Sequence, residues 1–200
     1  MILITTTRRP SRRTRSFIRD LFHVIPNAVR RNRGKMSLED VNQLALELGL
    51  KRIMIVGTSK GNPSSISFYE ASPSGIKPIS IIFLQGVSLR RELTNKRAPS
   101  SKSLCISYSS PDLSHIAQLM VESFGEGEPF FVQGLSDLKV LYPEYDVSIH
   151  LSPHEGLILS SFYRIKPLME LGPRMKIRGF RELAEGVDEY RGRVRKRERG

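Results

Sequence analysis

Apolar residues along the chain switch between a two-residue and a 3.6-residue period, in an order that occurs once in each half. Ile2 to Thr7 reads as a short buried strand, and Ser11 then offers an N-cap for a helix running to about His23. Phe17, Ile18, Leu21, Phe22 and Ile25 fall on one face at helical spacing, and Pro26-Asn27 stops the pattern. Val29 to Lys35 is a basic loop or short edge strand. Ser37 caps a second helix, whose Leu38, Val41, Leu44, Ala45 and Leu48 form one stripe ended by Gly49. Strands are then expected at Arg52 to Val56, Ser65 to Ala71 and Ile79 to Leu84, divided by the turn-forming runs Gly61-Asn62-Pro63 and Ser72-Pro73-Ser74-Gly75.

Arg90 to Lys102 is polar and reads as a linker, after which the pattern restarts. Leu104 to Tyr108 predicts a strand. Ser110-Pro111-Asp112 supplies a cap and a first-turn proline for a helix through Leu113, Ile116, Ala117, Met120 and Phe124, closed by Gly125. An irregular stretch with a short helix near Asp137 to Leu141 precedes strands at Val147 to Leu151, Leu157 to Ile165 and Met175 to Phe180. The expected fold is α/β, with two tandem similar halves (1–97 and 102–182), each a small mixed sheet with helices. The recurrence suggests an internal duplication within one domain spanning 1–186. Residues 187–200 are expected to be a basic solvated tail, since Arg191 to Gly200 has almost no apolar content.

Charge changes the picture. The chain has 200 residues and a formal net charge of +12, while its hydrophobic (39%) and charged (26%) fractions are those of a folding globular sequence. Such an excess is most easily sustained when the usual partner is a polyanion, and nucleic acid leads the candidates. Cys105 is the only cysteine, so an internal disulfide framework is excluded, and its flanks Leu104 and Ile106 predict a buried strand thiol. No run approaches the roughly 18 consecutive apolar residues of a membrane span. Met1-Ile2-Leu3-Ile4 leading into threonines and arginines reverses the order of a secretory signal, so a soluble intracellular protein is expected.

Catalytic chemistry is not indicated. His23, His115, His150 and His154 are scattered without metal-ligand spacing, and no cofactor or metal is expected. Gly57-Thr58-Ser59-Lys60-Gly61 follows a strand but lacks the Gly-Lys-Ser/Thr ending of a phosphate loop, so a hairpin turn tipped by a lysine is the better reading. Cys105 carries no activating neighbours in sequence, Ser109-Ser110-Pro111 reads as a helix cap, and His154-Glu155-Gly156 reads as a hairpin tip.

The basic residues are clustered. Arg8, Arg9, Arg12, Arg13 and Arg15 crowd the start of the first helix, where the helix dipole disfavours cations by several tenths of a kcal/mol each. An anion reverses the sign, because free backbone N–H groups, the Ser11 hydroxyl and guanidinium forks can hold phosphates together. Arg12 and Arg19 lie opposite the Phe17/Leu21 face. A second run, Arg30, Arg31, Arg33 and Lys35, surrounds Asn32 and Gly34. A third, Arg174, Lys176 and Arg178, alternates with Met175 and Ile177, so that a strand shows its charges on one face. Three runs and the tail point to one polyanion-binding surface. The competing expectation pairs the first cluster with acids such as Asp20, Glu39 or Asp40.

Three stretches carry a family resemblance: Ile4-Thr5-Thr6-Thr7-Arg8-Arg9-Pro10-Ser11-Arg12, Ile25-Pro26-Asn27-Ala28-Val29-Arg30-Arg31-Asn32-Arg33-Gly34, and Leu171-Gly172-Pro173-Arg174-Met175, with a weaker echo in Gly61-Asn62-Pro63. With them the sequence resembles Brix-domain proteins, in particular the branch that acts in small-subunit ribosomal RNA processing. The resemblance implies halves similar to the anticodon-binding domain of some aminoacyl-tRNA synthetases, RNA binding in ribosome biogenesis, and no catalytic residues. It marks Arg8, Arg9, Arg12, Asn27, Arg30, Arg33 and Arg174 as RNA-contact candidates. The implied partners are ribosomal RNA or its precursor, a guide RNA, and ribosome-assembly proteins. The stretch Arg90 to Lys102 departs from the eukaryotic type by lacking a Gly-rich Gly-Glu-Arg element. The compact length resembles archaeal members, which implies a cytoplasm rather than a nucleolus. A ribosomal protein, a tRNA-binding module of a synthetase, an enzyme and a protein-interaction scaffold are the alternatives.

Overall fold

In the computed structural model the described residues are 1–95, 101–125 and 127–183. The first half carries β1 (Ile2–Thr6), α1 (Arg12–Val24), β2 (Ala28–Arg30), α2 (Leu38–Glu47), β3 (Arg52–Ser59), β4 (Asn62–Glu70) and β5 (Lys77–Ser88). A short α3 (Arg90–Leu93) follows. The second half carries β6 (Leu104–Tyr108), α4 (Ser114–Phe124), β7 (Pro129–Phe131), α5 (Asp137–Leu141), β8 (Val147–His154), β9 (Leu157–Arg164) and β10 (Met169–Glu182).

Local chemistry explains most of these boundaries. Ser11 caps α1 by accepting from the Thr14 N–H at 3.0 Å. In α2 the Ser37 hydroxyl accepts from Asp40 N–H (3.0 Å) while the Asp40 carboxylate accepts from Ser37 N–H (2.8 Å), which satisfies two otherwise orphan donors. Gly125 closes α4 in the left-handed region (φ 74). Lys60 (φ 48) and Gly61 (φ 80) make the tight turn that pairs Ser59 with Asn62, so the Gly57–Gly61 run is a hairpin tip and leads into no helix. Glu155 (φ 49) and Gly156 (φ 74) form the corresponding tip between β8 and β9.

The ten strands lie in one sheet, in the order β2-β1-β3-β4-β5-β10-β9-β8-β6-β7. This corrects the expectation of a separate small sheet in each half. β5 and β10 pair antiparallel from Arg174↔Ser88 to Glu182↔Ser80 and thereby remove the free edge that each half would expose. Pairing within 2–88 is parallel for β2/β1/β3 and antiparallel for β3/β4/β5; within 104–182 it is parallel for β7/β6/β8 and antiparallel for β8/β9/β10.

One large core covers one face of the sheet. There α1 contributes Phe17, Ile18, Leu21 and Val24, α4 contributes Ala117, Met120 and Phe124, and Ile4, Phe68, Ile82, Ile149, Phe162 and Ile177 meet them from the strands. The opposite face has two smaller cores. Leu3, Ile53 and Ile55 pack under Val41 and Ala45 of α2, and Cys105, Val132 and Ile165 pack around Leu138 of α5. β1 is therefore buried on both faces along its whole length, as a strand sandwiched between helices is. Neither smaller core takes a described residue from β5, β9 or β10, so the middle of that face is uncovered.

Four readings of the sequence change. Arg90 to Lys102 is not all linker, because α3 docks against β10, with Arg90 buried and Leu93 against Gly172. β7 occupies a stretch read as irregular; three residues are too few to show a period. Phe22 and Leu48, assigned to apolar stripes, are each 37% exposed, since Phe22 sits just beyond the buried arc of α1 and Leu48 is the C-cap past the last turn of α2. Strands β5 and β10 outrun their predicted ends at both termini: their C-terminal extensions are carried by each other's backbone, and their N-terminal ones by β4 and β9. Residues 96–100, the boundary at 186 and the tail Arg191–Gly200 lie outside the described residues.

Candidate nucleic-acid interface

The parallel order β2-β1-β3 brings the carboxyl ends of three strands to one sheet edge, and the basic runs of the sequence gather there. Arg8 and Arg9 follow β1, and Arg30 and Arg31 end β2, with the Arg31 N–H donating to the Ile4 carbonyl (3.0 Å). Arg12 and Arg15 extend from the first turn of α1. Arg8, Arg9, Arg12, Arg15, Arg30, Arg31 and Lys35 are all exposed. The first turn of α1 holds no acidic residue. Helix dipole, free first-turn N–H groups and these guanidinium groups therefore add with one sign. Below them the Thr14 and Thr58 hydroxyls share a hydrogen bond (2.8 Å) that ties the helix start to the end of β3.

Two arginines of this group are structural. Arg33 is buried and donates from Nε to the Met36 carbonyl (3.0 Å), bracing the turn before α2. Burial, followed by the positive charge of Arg8, lowers its pKa from the ordinary value. Arg8 donates more loosely to the same carbonyl (3.4 Å). Arg13 makes a two-pronged bond to Glu92 (2.7 and 2.9 Å) and donates to the Val87 carbonyl (2.8 Å), so it fastens α1 to the end of β5. The acid is not Asp20, Glu39 or Asp40. Asp20 is instead buried on α1, accepts from the Arg90 N–H (2.9 Å), and sets its charge beside the buried Arg90 guanidinium, which also donates to the Leu171 carbonyl.

Asn27 stands apart from the cluster. It precedes Ala28, which pairs with Ile2 at the start of β1, and thus lies at the opposite sheet edge from Arg8. Its φ of 52 assigns it a turn, a conformation asparagine tolerates better than most residues. The third run is carried by β10. Arg174 pairs in register with Ser88, next to the Val87 that Arg13 grips, and is itself clamped to Glu170 (2.5 and 2.6 Å). Lys176 and Arg178 are exposed while Met175 and Ile177 are buried, as the alternation predicts. The roles of Glu92, Arg90 and Asp20 had no local signal, because each partner is 70 or more residues away.

Two buried groups elsewhere, Cys105 and His150, lie in the second half of the sheet. Burial pushes the Cys105 thiol up to about 11 and the His150 imidazole down to about 4. His150 Nδ1 is 2.9 Å from the Ser107 hydroxyl, itself 2.7 Å from that of Ser148, inside the sheet. Among the described residues no helix is long and apolar enough to cross a membrane.

Comparison with known proteins bears on the chain as a whole. No protein-family model matches the chain. It is 31% identical over 186 residues to a probable Brix domain-containing ribosomal biogenesis protein of Pyrococcus abyssi, covering 89% of this chain and 83% of that one. It is 33% identical over 188 residues to the protein so described in Methanopyrus kandleri, covering 91% and 95%. A crystal structure of a probable ribosomal biogenesis protein from Aeropyrum pernix superposes with a TM-score of 0.71 at 27% identity, over 88% of this chain and 94% of that one. An archaeal Imp4-like protein shares the fold (TM-score 0.61, 23% identity, 90% and 99% covered). Identity at this level over nearly the full length of both chains, with the same α/β architecture, shows that this chain belongs to the family of Brix domain-containing ribosomal biogenesis proteins.

Proposed function

We propose that the chain is a non-enzymatic assembly factor that binds ribosomal RNA or its precursor during small-subunit processing in the cytoplasm. The observation that carries this reading is the exposed group Arg8, Arg9, Arg12 and Arg15 around the uncompensated start of α1, beside Arg30 and Arg31. Cations there cost the free protein stability, and a phosphate backbone turns that cost into binding free energy. Lys35 extends the same edge; Arg13, Arg33 and Arg174 shape it through their protein partners; Asn27 shapes the far turn. The matching strand orders of 2–88 and 104–182 support a duplicated unit, similar to anticodon-binding domains, within residues 1–186. At the loop after the first strand only the first half carries cations: the loop after β6 reads Ser109-Ser110-Pro111-Asp112 where the loop after β1 reads Thr7-Arg8-Arg9-Pro10.

The test is crosslinking of the chain to RNA in its own cells, followed by sequencing of the attached RNA and sedimentation of its complexes. Precursor ribosomal RNA on sub-ribosomal particles is the expected result. Attachment chiefly to tRNA, or stable association with mature subunits only, would reject the assignment.

A further inference from the structure

The uncovered middle of the second sheet face lies along the seam between β5 and β10. Both strands are bulged there. Lys176 pairs with Gly86 and Ile177 with Leu84, which leaves Gln85 extra on β5; Gly179 then pairs with Phe83, which leaves Arg178 extra on β10. Phe83 is consequently opposed by two residues of the partner strand. The Arg178 guanidinium carbon stands 5.9 Å from the centre of the Phe83 ring, and that of Arg181 stands 5.8 Å from it.

Those distances sit near the outer limit of about 6 Å for a cation over an aromatic face, so both guanidinium groups are weak contacts that a stacking base can displace. Space is open beside it. A Cβ added at Gly86 or at Gly179 would meet no atom within 4 Å. In register around the ring are Ser65, opposite Phe83, and Ser67, opposite Ile81, while Leu159 lies opposite Lys176. Lys176, Arg178 and Arg181 are exposed, and no carboxylate of the described residues forms an ion pair with them. Of the two acids of β10, Glu170 is held by Arg174, and Glu182 alternates onto the face of Phe180, away from Arg181. Three cations around a half-buried aromatic ring on a hydroxyl-bearing sheet call for a ligand that joins a flat π-surface to closely spaced anions.

We infer that this seam binds single-stranded RNA, with a base stacked on Phe83 and the flanking phosphates held by Lys176, Arg178 and Arg181. The inference rests on the RNA-binding reading above and adds a second, base-contacting site to its phosphate-contacting edge. A single strand fits because its unpaired bases can turn a face to a ring recessed in a sheet. A duplex keeps those faces stacked inside and offers only phosphates and groove edges.

The test uses the full chain and a short single-stranded RNA carrying one 2-aminopurine, with the duplex of the same sequence as reference. Binding of the single strand should quench the fluorophore. Phe83→Leu should abolish the quenching and weaken single-strand binding by about tenfold or more, leaving duplex binding unchanged. Gly86→Leu fills the open space from the neighbouring position and should act alike; circular dichroism melting checks that both variants fold. Arg178→Gln with Arg181→Gln should lower the slope of log affinity against log salt by about 1.4, two single-strand phosphate contacts. Quenching that persists in Phe83→Leu, with single-strand affinity within about twofold of the parent, would overturn the site while leaving the edge reading intact. Absence of RNA binding by the parent chain would overturn both. Displacement of the RNA by poly-glutamate at equal charge, without a stacking signal, would assign the seam to an acidic protein segment instead.

Discussion

Arg12 and Arg13 are neighbours in sequence with opposite expected behaviour, and separating them tests the electrostatic argument most directly. Arg12 is exposed at the first position of α1, where it works against the helix dipole. Arg12→Gln should therefore stabilise the free protein by about 0.3–0.5 kcal/mol. Arg13 is different. Its ion pair with Glu92 has side chains 33% and 36% exposed, so solvent screens it, and such pairs contribute about 0.2–1 kcal/mol. Its bond to the half-buried Val87 carbonyl adds about 1 kcal/mol. Together Arg13→Gln should cost about 1.5 kcal/mol, and in a chain of this size each kcal/mol moves the melting temperature by about 2–4 °C. Calorimetry should then show a fall of about 3–6 °C for Arg13→Gln and a rise of up to about 2 °C for Arg12→Gln. In RNA titrations between about 50 and 200 mM salt, Arg12→Gln should reduce the log–log slope by a little under about 1, and similarly for unrelated sequences. Equal melting temperatures for the two variants would refute the division of roles. A salt slope unchanged by Arg12→Gln would refute the phosphate contact.

Three further outcomes follow from the interior. The Arg13 hydrogen bond, aided by the Leu89 N–H, holds the Glu92 carboxyl below the usual range. Its contribution should be complete above the ordinary carboxylate pKa of about 4.3 and fade as pH falls further, so Glu92→Gln should flatten the acid limb of a urea-stability profile. Burial holds His150 neutral with a pKa of about 4. Its unfolded form titrates near 6.5, so stability on the order of 3 kcal/mol should be lost as pH falls from about 6.5 to 4; His150→Gln should remove that slope, and a slope left in place would assign it elsewhere. Asp20→Ala leaves the buried Arg90 without the charge beside it and should cost about 3–5 kcal/mol in chemical denaturation. A loss under about 1 kcal/mol would show that the remaining partners of Arg90, the Leu171 carbonyl among them, satisfy it without Asp20.

The sequence by itself determined what short-range chemistry can encode. Ser11 and Ser37 as caps, Gly125 as a stop, the Lys60-Gly61 and Glu155-Gly156 tips, and the alternation of Met175 and Ile177 with Lys176 and Arg178 are each decided within a few residues. So is the crowding of arginines at the start of α1, from which the expectation of a polyanion partner arose. Only the tertiary structure decided which of those arginines are available. Nothing local distinguishes Arg13 from Arg12; a carboxylate 79 residues away does. The same holds for Asn27, which a motif placed with Arg30 and Arg33 but which the direction of β2 carries to the far edge of the sheet. The joining of two halves into one sheet was also beyond the sequence, because backbone N–H and C=O groups pair without regard to side chains and leave no residue signature. That joining also creates the seam where Phe83 of one half meets Arg178 and Arg181 of the other.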